Sequence, residues 1–210
     1  MEMLSSSVFL THSAAYGLLL GLAGIARERK EEFLGAKIAI GMMRIKDKPD
    51  KPREPRRGRV FQQLHRIPQG DDKKKRAEEK ERAKGSKSER IGVYWREVLI
   101  NLEGYIGLDD EQLESLVEQG INDPQSLNYY WGLPFMGDNN FFLERLETVP
   151  KPDGCLWFSP LDPQRMKQED RYYHLSVWTD YTHENNCSNA KLFSLTDDLN
   201  AAWQTIEKKH

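Results

Sequence analysis

Residues 9–25 read FLTHSAAYGLLLGLAGI. This is the most apolar stretch of a chain in which 30% of residues are charged. Its apolar run, Ala14 to Ala26, spans 13 residues, against about 20 for a bilayer-crossing helix. A signal peptide needs basic residues ahead of its apolar region. Here Glu2 precedes the run, and Arg27, Arg29 and Lys30 follow it. The stretch therefore reads as the first helix of a folded domain, with Thr11 or Ser13 as N-cap and an end near Glu28. Ala15, Leu18, Leu19, Leu22 and Ile25 share an apolar face, and Gly17, Gly21 and Gly24 fall on another. Each helical glycine costs roughly 1 kcal/mol relative to alanine. Two reasons would justify them: close packing on a sheet, or a helix start lying against a ligand such as phosphate.

The rest of the composition narrows the class. With 210 residues the chain holds one substantial domain or two small ones. Its two cysteines, Cys155 and Cys187, form no CxxC pair, so neither a disulfide framework nor a zinc motif is expected. A reduced, cytoplasmic setting follows. The formal net charge of −2 hides a strong asymmetry. Residues 44–96 carry 19 Lys and Arg against 9 Asp and Glu, while the remainder carries 12 against 24. A basic quarter inside an acidic protein is the electrostatic footprint of a polyanion-binding element.

That segment has distinct parts. DKPDKPREPRRG (47–58) is broken by prolines and predicts an extended loop. RVFQQLHRI (59–67) alternates as a strand does. QGDDKKKRAEEKERAKGSKSER (69–90) has almost no apolar residues and predicts a flexible basic insertion at about 68–92. VYWREVLINLEGYIGL (93–108) predicts one long strand. Two strands thus flank a basic tip, with Arg56, Arg57, Arg59, His65, Arg66 and Arg96 on or beside them. A solvated linker without a role is the alternative for the tip.

Elsewhere, GAKIAIGMM (35–43) predicts a strand, and DDEQLESLVEQGI (109–121) an acid-capped helix with Leu113, Leu116 and Val117 inward. NYYWGLPFMGDNN (128–140) predicts a loop. FFLERLETV (141–149), GCLWFSPL (154–161) and YYHLSVWTDY (172–181) predict strands. LTDDLNAAWQTI (195–206) predicts a terminal helix capped by Thr196. The order α, β, β, β, α, β matches an α+β, ferredoxin-like pattern shared with RNA-recognition domains, if one strand is added in front. This assigns residues 1–150 to a ferredoxin-like RNA-binding domain and 151–210 to a small C-terminal β/α extension.

The opening segment also resembles a family. Thr11, Ser13, Tyr16, Gly17, Leu19, Leu22 and Gly24 match a segment reading roughly P-[ST]-x-[ST]-x-x-Y-G-x-L-x-x-L-x-G. It is found in the fifth core CRISPR-associated protein, the Cas-five family of type I Cascade complexes, in its DevS-like form. WGLPFMGDNNFFLERL is similar to that family's later glycine-containing loop and strand. The resemblance spans about residues 9–149. It implies a RAMP-type ferredoxin-like/RRM sheet with two helices and a long basic thumb, holding the 5′ handle of the CRISPR RNA. It implies a Cas-seven-type backbone subunit and a large Cas-eight-type subunit as partners, target DNA indirectly near the PAM, no membrane, no cofactor and no metal. DevS-like versions also serve RNA-guided Tn-seven-like transposon systems, so interference and transposon recruitment are both open. Members normally begin with a strand of some 20 residues ahead of the motif, whereas MEMLSSSV precedes Phe9 here. A late start, a replaced strand or a sheet lacking it would each account for that. The expectation is a shortened sheet or a partner strand covering the gap.

Candidate RNA-binding residues follow from charge and from the resemblance. Thr11, His12, Ser13, Tyr16 and Gly17 form the helix start. Arg44, Arg56, Arg57, Arg59, Arg66, Lys73, Lys74, Lys75 and Arg96 supply phosphate contacts. Gln62 and His65 lie on the basic strand, and Phe61, Tyr94 and Trp95 would stack on bases or pack in a core. Gly137, Asp138 and Asn139 would bring backbone amides near RNA, or form a plain turn. Most members of the family are not enzymes. One subtype cuts precursor RNA with Tyr, Lys and His, for which His65, Tyr94 and a nearby Lys are the only candidate set here. An unrelated interaction module with a basic loop is the third reading. The scattered histidines give no ligand spacing, and there is no Walker A, GxSxG or dinucleotide fingerprint.

Overall fold

The computed structural model describes residues 3–4, 9–65, 91–127, 143–150, 152, 154–161, 171–179 and 188–208. The chain divides into two units, Met1–Ser6 with Arg56–Ile100, and Ser7–Pro55 with Asn101–His210.

The larger unit is α+β. Helix α1 (His12–Leu22) starts where Thr11 leaves extended backbone and its Oγ1 accepts the Ala14 N–H at 3.1 Å. It stops before Gly24, whose φ is +67°, and a 3₁₀ helix over Arg27–Phe33 replaces the expected run to Glu28. Ala15, Tyr16, Leu18, Leu19 and Leu20 are buried. Gly17 and Gly21 are exposed, and a Cβ added at either would meet nothing within 4 Å. They therefore do not serve close packing on the sheet. The close approach sits elsewhere, at Gly120 of α2 (Glu111–Asn122), where a Cβ would lie 1.7 Å from Leu22 O. Asp110 caps α2 by accepting the Leu113 N–H at 2.9 Å.

A seven-stranded antiparallel sheet lies beside these helices. Its centre is β2 (Lys37–Ile45), which pairs with β3 (Lys48–Pro52), β6 (Gly104–Asp109), β7 (Cys155–Pro160) and β10 (Gln204–Thr205). Strand β9 (Ser188–Thr196) joins β7, and β8 (Tyr173–Thr179) closes the far edge. Burial on both faces explains why β2 reads as a nearly continuous apolar run. Ile38, Ile40 and Met42 face the main core with Phe158, Tyr173, Leu175 and Phe193, whereas Ala39 packs with Cys155, Trp157 and Ala202. A bulge between Ser176 and Trp178 turns both Val177 and Trp178 inward.

The smaller unit is a three-stranded sheet. Strands β4 (Arg56–His65) and β5 (Ile91–Ile100) form a ten-rung antiparallel ribbon, and β1 (Met3–Leu4) pairs with β5 in parallel.

Four expectations are corrected. The stretch 47–58 holds strand β3 and the start of β4 rather than an extended loop. The single strand expected over 93–108 is two, β5 and β6, broken where Asn101 takes a left-handed φ of 55°. Asparagine tolerates that conformation through its short polar side chain. Residues 143–149 form no strand and leave Leu146 and Val149 exposed. Residues 195–206 end β9, make a 3₁₀ turn at Leu199–Ala202 and enter β10, with no terminal helix. Strands β7 and β10 pair with β2, in the same sheet as β6. The sheet drawn from residues 9–149 holds β2, β3 and β6 in the larger unit. No described helix is long and apolar enough to cross a membrane.

Candidate nucleic-acid interface

The β4–β5 ladder sorts the basic segment into faces, because side chains alternate along each strand. Arg57, Arg59 and Phe61 stand on one face opposite Leu99, Glu97 and Trp95. Arg56, Gly58 and Val60 stand on the other, opposite Ile100, Val98 and Arg96. Phe61 and Trp95 are 59% and 39% exposed and meet edge to face at 5.4 Å. Arg56, Arg57 and Arg59 are exposed, and Arg57 Nη1 donates to the Glu97 carboxylate at 3.1 Å. Glu97 is the acidic group on this face, and it is buried. One ribbon face therefore joins two solvent-facing rings to two guanidinium groups, with a single carboxylate beneath them. Rings of this kind accept stacked bases and guanidinium groups accept phosphate.

The helix start contributes less than expected. His12 is 0% exposed and stacks on Phe193, with ring centroids 4.8 Å apart. Burial, aided by Lys191, pulls its pKa down to about 4. Neither ring nitrogen has a partner among the described residues. Tyr16 is 3% exposed, packs on Trp178 and donates its hydroxyl to Lys30 O, and burial raises its pKa. Both side chains are buried in the core rather than open at the helix start. Thr11 and Ser13 are half-buried, the former occupied as a cap, and Gly17 is exposed. Arg44 lies on β2, donates to Cys155 O and pairs with Asp197. That places it in the joint between β2 and β7.

Gln62 and His65 occupy rungs of β4 opposite Tyr94 and Ile91. Arg66, Lys73, Lys74, Lys75, Gly137, Asp138 and Asn139 fall outside the described residues, as does the insertion at about 68–92. Arg96 is half-buried on β5. Sequence reasoning treated Phe61 and Trp95 as core or stacking residues alike. Their shared rung, with Arg59 two positions along, is visible in the structure alone. No group of three or more His, Cys, Asp or Glu among the described residues is arranged to hold a metal ion.

Comparison with protein-family models finds no match, and comparison with curated proteins finds none. Among solved structures, a chain described as "CRISPR RNA-guided surveillance complex" aligns over 89% of this chain and 77% of its own length, at 11% identity and a TM-score of 0.47.

Proposed function

We propose that this chain is a noncatalytic RNA-binding subunit of a Cascade-type complex, with the β4–β5 ribbon holding the 5′ handle of the CRISPR RNA. The observation that carries the reading is the exposed Phe61–Trp95 pair beside Arg57 and Arg59 on one face. Solvent-facing aromatic rings are poor investments for a free surface, and stacked bases repay them at about 1–3 kcal/mol each. Guanidinium groups at alternate positions follow a phosphate backbone without reading sequence. The motif resemblance over residues 9–149 supplies the identity of the RNA and the company it keeps: a Cas-seven-type neighbour, a Cas-eight-type large subunit and target DNA near the PAM. Both interference and transposon recruitment use such a subunit.

The noncatalytic reading has a geometric basis. His65 and Tyr94, from the candidate cleavage set, are three rungs apart in the ladder, roughly 10 Å along the strands. A general acid and base acting on one phosphate need hydrogen-bond reach of the same atoms.

Binding of a labelled handle RNA across a salt series tests the proposal. Affinity should fall by roughly 10³-fold or more between 50 and 200 mM salt if about six phosphates are contacted. Affinity that is flat across the series, or absent for any single-stranded RNA, would refute it.

A further inference from the structure

Strand β6 has one edge that nothing described covers. Arg44 N–H donates to Gly154 O on the β7 side of β2, and Met43 O accepts the Arg53 N–H on the opposite side. Alternation then points Lys37, Ala39 and Gly41 toward β6, where they face Asp109, Gly107 and Tyr105. Gly104, Ile106 and Leu108 consequently turn their N–H and C=O groups away from β2. Among the described residues, no strand pairs with that edge and no other backbone group bonds to it.

Sheet edges are ordinarily guarded by a charge, a proline, a bulge or a covering element. Between its two ends, GYIGLD has none of these, and its register with β2 is unbroken. Apolar side chains lie on both sides of the edge. Leu102, Ile106 and Leu108 pack partly buried against the helix-side core, and Tyr105 and Trp203 against the cluster on the other face. A strand laid along β6 would complete its hydrogen bonds and cover apolar surface in both layers.

We propose that this edge receives an extended segment of another polypeptide, alternating apolar and polar, with Lys or Arg at the end that lies beside Asp110 and Glu111. The charge follows from the flanks. Glu103 precedes β6, Asp109 ends it, and Asp110 and Glu111 follow in sequence. Arg53 and Lys37 meet Glu103 and Asp109 in exposed pairs, which contribute little, so Asp110 and Glu111 leave a net negative end. A second copy of this chain fits less well. Antiparallel self-pairing centred on Ile106 sets Asp110 and Glu111 of each copy against the uncharged Leu102 and Asn101 of the other, so the acidic end gains no basic partner. The proposal stands independently of RNA binding.

Residue-resolved hydrogen exchange on the full chain tests it, with the peptide Lys-Val-Thr-Val-Thr-Val-Lys as probe. Controls are the same peptide with proline at its centre, and one with Glu at both ends. The free monomer should exchange the Ile106 and Leu108 amides much faster than those of Tyr105 and Gly107. The basic-ended peptide should slow both by about tenfold at roughly ten times its Kd, with a smaller effect from the Glu-ended peptide and none from the proline control. Three results would overturn the proposal: amides already slow in the free monomer, protection that rises with protein concentration alone, or no slowing by the basic-ended peptide.

Discussion

Phe61 and Trp95 face each other across one rung of the β4–β5 ribbon, edge to face at 69°, with 59% and 39% of their surfaces exposed. Such a pair contributes about 0.5–1.5 kcal/mol beyond its buried area, enough to hold both rings in place on an open surface. A preordered aromatic platform loses little side-chain entropy when a base stacks on it. The pair thus links ribbon packing to the proposed function.

Replacing either ring tests that link. Phe61→Ala and Trp95→Ala should each weaken handle-RNA binding by about 1–3 kcal/mol, while thermal unfolding shifts by no more than about 1 kcal/mol because neither ring lies in a core. Titration calorimetry and calorimetric unfolding on the same samples separate the two effects.

The arginines should act through salt dependence. Arg57→Gln and Arg59→Gln should each lower the slope of log K against log salt by about 1 and weaken binding similarly for different sequences. Arg57→Gln should in addition cost about 1 kcal/mol of stability, because the buried Glu97 carboxylate loses a donor. Anisotropy titrations at several salt concentrations measure the first effect, and chemical unfolding the second.

Glycines of α1 and α2 should respond in opposite directions. Gly21→Ala adds a methyl group into open space on a helix and should stabilise by about 0.5–1 kcal/mol. Gly120→Ala drives its Cβ into Leu22 O and should destabilise by about 3 kcal/mol, since backbone on both helices must shift. Urea unfolding of the two variants gives the comparison directly.

His12 predicts an acid-sensitive core. Its pKa falls from 6.5 in the unfolded chain to about 4 in the folded one. The unfolded state therefore binds the proton first. The contribution is fully present above about pH 6.5 and is lost progressively as pH falls toward 4, amounting to about 3 kcal/mol. His12→Leu should flatten that part of the stability–pH curve, which unfolding midpoints from pH 7 to 4 would record. An unchanged slope would exclude His12 as its source.

Legibility of the fold in the sequence followed the range of the interactions. Thr11 and Asp110 announced α1 and α2, because capping is settled within three residues. Strands β2, β7 and β8 were readable as apolar runs, since burial on a sheet is written into composition. Asn101 was not readable, because whether asparagine breaks a strand depends on what packs on either side. Residues 195–206 carried helix-like signals, yet β2 offered a free edge to Gln204 and Thr205, and the sheet prevailed. At the site, the charge asymmetry marked the segment that holds the ribbon, but the shared face of Arg57, Arg59 and Phe61 was not readable, because Arg57 fell in the stretch expected to be a loop. His12 and Tyr16 became candidates through their place at the helix start, and their burial depends on neighbours such as Phe193 and Trp178, far along the chain.

The most direct test of the central claim is affinity purification of the tagged protein from its native host, followed by 5′-end sequencing of the RNA that accompanies it. A uniform population beginning with one repeat-derived handle and continuing into variable spacers is the predicted result. Heterogeneous RNA, or no RNA, would contradict a handle-binding role and leave the ribbon as a nonspecific polyanion contact.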